Sequence, residues 1–327
     1  MRRITLVLLA LVATLALAAC GSDDDGGSTG AATAPAETTQ AASNQIQSNP
    51  GNAKTTVTIG SKNFTEQKVL GEIYAQALEA AGYTVKTELN LGDENVALKA
   101  LKDGQIDGYP EYTGTALLSF FEVPTDQLPK DEQQAYQEVK ADFAKDGIAA
   151  LPPTPFTSSN EVGLTRERAE ELGVTKISDL KGKEDDLKLY GTPECRQRMD
   201  CLLGLEKIYG LKLRDNFTPV DPALRHEVLE KGQADLSIVY TTDPQIERDD
   251  EVLLEDDKGM FPPYNSTFLV KQSFLDQAGP DMAKTIELVN QGLTAQAMQE
   301  LNARVDLDKK TPAEVAKEYL QESGYIA

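Results

Sequence analysis

Three tyrosines, Tyr112, Tyr240 and Tyr264, are the residues whose type and placement suggest recognition chemistry. The chain has eleven tyrosines and no tryptophan, and these three fall at strand ends or directly after proline. An electron-rich ring attracts a cation over its face, by roughly 0.5 to 2 kcal/mol as the site is desolvated. A quaternary ammonium carries charge but no N–H, so hydrogen bonds cannot hold it and aromatic faces remain. Three such faces, with a partner for the other end of the ligand, could support micromolar binding. Bond-making chemistry has less to work with. The one histidine, His226, sits between Arg225 and Glu227 and reads as a surface residue. A single His leaves no HExxH and no Ser-His-Asp triad. No GxSxG, Walker loop or post-strand GxGxxG appears either, so no catalytic residue is assigned. The pairs Asp185-Asp186, Asp249-Asp250 and Asp256-Asp257 lack the alternation of a calcium loop and read as solvated faces. Neither a metal nor a cofactor is expected.

Two of the tyrosines close the copies of a repeated stretch, Leu98 to Thr113 and Leu224 to Thr241. With Gly104 on Gly232, Leu101 falls on Leu229, Gln105 on Gln233, Asp107 on Asp235, Tyr112 on Tyr240 and Thr113 on Thr241. Each copy reads as a helix, a glycine at its C-terminal turn, a short buried strand and a Tyr-Thr pair at the strand end. In open α/β sheets ligands sit outside the carboxyl ends of strands, so two facing lobes would each present one tyrosine to a shared cleft. Helix-glycine-strand units are common in α/β proteins, and the repeat alone leaves a coincidence open.

The remaining elements bring other groups toward such a cleft. Thr56 to Gly60 is a strand, followed by Ser61 to Thr65 and a helix from Glu66 to Ala81 capped by Thr65, which places Lys62 beside free helical N–H groups able to receive an anion. Gly92-Asp93-Glu94 turns into the first repeat helix, and Thr113 should cap a helix from Ala116 to Phe121 with Thr115 in its first turn. Pro-rich extended runs at Leu151 to Thr165 and Met260 to Val270 suggest two crossings between lobes, and the helical C-terminal part would return to the first lobe.

At 327 residues the chain has room for two cores, and its net charge of −21 argues against a nucleic-acid partner. Arg2-Arg3, an apolar run from Ile4 to Leu17 and Leu17-Ala18-Ala19-Cys20 resemble a lipoprotein signal with its lipobox, so residues 1–19 are expected to be cleaved and Cys20 acylated. An ordinary secretory signal with an accidental Cys is the alternative, and either exports the protein. Residues 20–54 read as the lipidated Cys and a flexible tether. Cys195 and Cys201 remain, six apart in an oxidising compartment, and are expected to form a disulfide, two buried free thiols being the alternative.

Ser61-Lys62-Asn63-Phe64-Thr65-Glu66-Gln67, Tyr109-Pro110-Glu111-Tyr112-Thr113-Gly114-Thr115, Tyr240-Thr241-Thr242-Asp243, and Asp256-Asp257-Lys258 with Phe261-Pro262-Pro263-Tyr264 resemble the glycine betaine/choline-binding proteins of osmoprotectant ABC importers, from about Thr56 to the C-terminus. The resemblance implies a type II periplasmic-binding fold: two α/β lobes joined by hinge crossings, with lobe 1 at 55–159 plus 266–327 and lobe 2 at 160–265. It places Tyr112, Tyr240 and Tyr264 on cage positions for a trimethylammonium group, Lys62, Thr115 and Arg198 on positions holding the ligand carboxylate, and Asn160 at the inter-lobe position closing on the ammonium end. It implies a monomer, lipid-anchored outside the bacterial cell membrane and delivering its ligand to an ABC permease. One departure is Val162, where another cage aromatic is expected, which would open the cage or admit bulkier betaines such as carnitine or ergothioneine. A carboxylate of the Asp93-Glu94 loop beside the cleft, Asp93 above all, would favour a net cation such as choline. A non-transport surface lipoprotein would use the same anchor.

Overall fold

The computed structural model describes residues 44–327; the signal segment, Cys20 and most of the expected tether lie outside the described residues. Among the described residues, ten short strands form two five-stranded sheets. The first holds β1 (Thr56–Gly60), β2 (Thr84–Glu88), β3 (Gly108–Tyr112), β4 (Ile148–Ala150) and β10 (Ser266–Lys271), in the order β2-β1-β3-β10-β4. The second holds β5 (Asn160–Thr165), β6 (Leu189–Gly191), β7 (Phe217–Pro219), β8 (Leu236–Tyr240) and β9 (Glu251–Leu253), in the order β7-β6-β8-β5-β9. The two orders are the same pattern. In each lobe the repeat strand is central, parallel to one neighbour and antiparallel to a strand that has crossed from the other lobe. Such mixed sheets flanked by helices form the type II periplasmic-binding fold.

The chain crosses between sheets twice, from β4 to β5 and from β9 to β10, and the crossings pair with each other at Thr157 and Asn265. Each repeat strand ends beside a crossing, with Tyr112 opposite Ser266 and Tyr240 opposite Asn160. This register sets both tyrosines at the inter-lobe junction. Gly104 and Gly232 adopt φ of 75° and 62°, the left-handed conformation that lets each helix stop and turn into its strand. The helices Pro280–Asn290, Ala295–Asp306 and Pro312–Glu322 return to the first lobe, where Met282, Ile286, Met298 and Val315 share a core with Val57, Ile59 and the helix α1 (Thr65–Ala80).

Several sequence expectations shift. Residues 44–54 belong to the fold: Ile46 N–H donates to Tyr325 O at 2.9 Å, and Asn49 opens a 3₁₀ helix, Pro50–Lys54, while its amide donates to Asp281 at 2.7 Å. The turn-forming Pro-Gly-Asn sequence behind Ile46 carries enough anchoring groups to hold it there. Thr65 does not cap α1; its hydroxyl donates to Asp306 at 2.6 Å. Thr113 likewise caps nothing, because its hydroxyl donates to the Pro263 carbonyl at 2.9 Å, and Thr113–Thr115 is already helical before a wider turn at Ala116–Phe120. Asp256 is no solvated residue, since it accepts from the Tyr209 hydroxyl and from Phe261 N–H at 2.8 Å.

His226 is the largest correction. It is buried, with Nδ1 at 2.9 Å from Glu251 and Nε2 at 3.0 Å from Asp243. Arg225 grips the same Asp243 with two guanidinium nitrogens, and Asp243 in turn accepts the Tyr240 N–H at 2.7 Å. A helix-flank position between Arg and Glu looked polar and exposed; the acids that bury it lie 17 and 25 residues away in sequence. Burial alone would lower the His226 pKa, but hydrogen bonds to Asp243 and Glu251 outweigh it and the pKa is raised. Burial would raise that of Asp243, yet Arg225 and His226 hold it down to about 2.

Cys195 and Cys201 are joined in a disulfide, with Cα atoms 5.1 Å apart. The ring it closes carries Arg198 and Asp200. Removing it through Cys195→Ser with Cys201→Ser should cost about 2 kcal/mol by loop-closure entropy, read from denaturant unfolding. No loss of stability would mean the loop is held by its ion pairs alone. For His226, a pKa raised in the folded state stabilises fully below about 6.5 and fades as pH climbs through the folded value. His226→Gln should therefore destabilise by on the order of 3 kcal/mol near pH 5.5 and by less at pH 9. A pH-independent difference in melting temperature would contradict the buried charge network.

Candidate functional site

The junction of the two lobes holds a cleft of about 480 Å³, counting its part open to solvent. Lys62, Asp93, Tyr112 and Thr115 line it from the first lobe, Asn160, Arg198 and Tyr240 from the second, and Tyr264 from the second crossing. All eight positions singled out in the sequence thus meet at one place. The rings, however, meet differently from the expected trio. Phe64 stands between the lobes, 6.2 Å from the Tyr112 ring centroid and 5.3 Å from that of Tyr240. It precedes the first turn of α1 inside the Ser61-Thr65 loop, a position with no periodic signal of its own. Tyr264 reaches the cleft beside them because Gly114 has no side chain; a Cβ there would stand 2.6 Å from the Tyr264 ring.

Each ring is fixed by a polar partner. The Tyr112 hydroxyl donates to Glu66 at 2.6 Å, and Glu66 also accepts from Asn302 at 3.0 Å. Asn302 donates to the Thr242 carbonyl of the second lobe at 3.2 Å, which ties the orientation of Tyr112 to lobe closure. Burial raises the pKa of Glu66, and hydrogen bonds from Thr242, Tyr112 and Asn302 offset part of this. Tyr240 carries the Arg225 guanidinium on its face, 4.5 Å from the ring centroid. Burial pushes the Tyr112 and Tyr264 phenols well above their ordinary range and that of Tyr240 to about 12. All three rings are neutral at physiological pH.

The cations of the cleft are matched by three acids, Glu111, Asp200 and Glu94, of which the sequence had pointed only to Glu94, through the Asp93-Glu94 loop. Lys62 is buried, paired with the fully buried Glu111, and its ammonium sits 4.6 Å from the Tyr112 centroid and 5.8 Å from that of Phe64. Glu111 also accepts from Tyr109 at 3.0 Å and from Tyr112 N–H at 2.8 Å. Arg198 binds both oxygens of Asp200, at 2.8 and 2.5 Å, and crosses to Glu94 of the first lobe at 2.9 Å. Asp200 further accepts from the Tyr264 hydroxyl at 2.5 Å and the Asn160 amide at 3.0 Å. Its place two residues after Arg198, inside the disulfide ring, is the signal that could have marked it. Asp93 borders the cleft, but one of its oxygens accepts from Asn95 and Val96 N–H as the N-cap of α2 (Glu94–Asp103).

Val162, read as a gap in the cage, lies in the core of the second lobe with Leu164 and Ile238 and does not line the cleft. It shares a face of β5 with Asn160 but lies two residues further along the strand, where that face packs into the core, so no opening arises there.

Residues 55–322 match the family model described as the substrate binding domain of an ABC-type glycine betaine transport system. A glycine-betaine-binding protein of Pseudomonas aeruginosa is 34% identical over 277 residues, covering 82% of this chain and 88% of the relative. The glycine betaine-binding protein YehZ of Escherichia coli is 30% identical over 286 residues, covering 84% and 93%. A crystal structure described as a glycine betaine/carnitine/choline ABC transporter superposes with a TM-score of 0.64 at 26% identity, over 81% of this chain and 98% of that one. The two-lobed fold, the inter-lobe cleft and these matches agree: the chain belongs to the family of substrate-binding domains of ABC-type glycine betaine transport systems, whose members are extracytoplasmic binding proteins and not enzymes.

Proposed function

We propose that this protein captures a small quaternary ammonium osmoprotectant, glycine betaine or choline, between its lobes and delivers it to an ABC permease. One observation carries the reading. Rings from both lobes, Phe64 and Tyr112 on one side and Tyr240 on the other, converge in one cleft that already has an ammonium, that of Lys62, over the Tyr112 ring. A methylated nitrogen would sit among these faces and Tyr264, closed in by Asn160. The polar end of the ligand would turn toward Thr115, Lys62 and Arg198. Because the walls belong to different lobes, a bound ligand stabilises the closed state, and a hinge at the paired crossings releases it. The lipobox-like Cys20 would hold the molecule on the extracytoplasmic face of the cell membrane as an anchored monomer.

Choline or glycine betaine at 100 times its Kd should stabilise the protein by about 2.7 kcal/mol, seen as a rise in melting temperature. Carnitine, ergothioneine and amino acids serve as competitors in the same screen, and a shift confined to one of them would reassign the ligand. Tyr240→Ala and Phe64→Ala should each weaken binding by about tenfold in calorimetry. Unaltered affinity in both would remove the aromatic basis of recognition.

A further inference from the structure

The charge balance around Arg198 bears on which quaternary ammonium the cleft accepts, an inference that rests on the reading above. The guanidinium is spent inside the protein: Nε and Nη2 on Asp200, Nη1 on Glu94 at 2.9 Å. Asp200 is fully buried and Glu94 keeps only 4% exposure. One cation faces two anions there, while Lys62 and Glu111 cancel; with Asp93 and Glu194 also on the lining, the cleft carries a surplus of negative charge. An entering carboxylate would have to take Glu94's place on Arg198. Glu94 would then be buried without a partner and beside a second anion, which desolvation and like-charge repulsion both oppose. A ligand with a neutral polar end meets no such conflict. Its hydroxyl can donate to a carboxylate, and its ammonium is drawn by the surplus charge.

We infer that Glu94 is a specificity-determining residue, masking Arg198 and selecting a net monocation of the choline type over a zwitterion such as glycine betaine. Asp93 does not share this role, because its carboxylate is engaged in capping α2 while that of Glu94 reaches across the cleft. The adjacent acids divide into one that starts the helix and one that meets the other lobe.

Calorimetric titration of the whole chain with choline and with glycine betaine tests this. The wild type should bind choline at least about tenfold more tightly. Glu94→Gln keeps a hydrogen-bonding oxygen for Arg198 but removes the charge, and should move the ratio toward glycine betaine by about tenfold. Glu94→Asp retains the charge and should retain the preference for choline. Glycine betaine binding the wild type as tightly as choline, or a folded Glu94→Gln with an unchanged ratio, overturns the role of Glu94 and leaves the aromatic recognition standing. Neither compound binding the wild type would overturn the choline-or-glycine-betaine assignment and this inference together. The wild-type ratio requires no variant, so a Glu94→Gln chain that fails to fold does not protect the proposal.

Discussion

A carboxylate without access to water must find its donors within the protein, and the cleft is arranged around one such group. Asp200 is fully buried and collects Arg198, the Tyr264 hydroxyl and the Asn160 amide. Burial pushes its pKa up, but Arg198 and Tyr264 reverse this and hold it below the usual carboxylate range. Removing any one donor leaves charge unmatched in a dry place, which is far costlier than losing an ordinary surface contact. The donors come from the disulfide ring, the second crossing and β5. A single anion therefore fixes three chain segments that are distant in sequence, and Arg198 extends the same network to Glu94 on the opposite wall.

The lobes reach the cleft by equivalent routes. Each has its repeat strand at the centre of a sheet of the same order, ending in a tyrosine beside a strand donated by a crossing. Equivalent positions do not bring equivalent surroundings. Tyr112 hydrogen-bonds to Glu66 and lies near the Lys62 ammonium, whereas Tyr240 is backed by Arg225, which Asp243 holds from behind while itself bonded to His226. One ring is oriented by a lobe-bridging amide and the other by a network of charges within its own lobe.

The repeat strands, the crossings and the tyrosines could be read from the chain because periodicity, glycine and proline are local signals, whereas the three-residue strands β4 and β7 are too short to carry one. The repeat placed Tyr112 and Tyr240 at strand ends, and they are there. What escaped were pairings made only on folding. His226 looks exposed until Asp243 and Glu251 close on it, Lys62 looks free until Glu111 is seen beneath it, and Val162 looks like a missing wall until the second-lobe core packs over it. Phe64 was quoted only as part of a motif, since nothing in its immediate neighbours shows that it will stand between two other rings. A buried charge carries its partner's identity in three dimensions, not in spacing.

The docking of residues 44–54 has a mechanical side. Ile46 is bonded to Tyr325, Asn49 to Ala81 and Asp281, and Asn52 to Ala81, all in the first lobe. Tension applied to the chain upstream of this segment would be taken up by that lobe and would bypass both crossings. The second lobe is then free to swing without load, so opening and closing should proceed alike whether the molecule is held at its N-terminal side or drifting in solution.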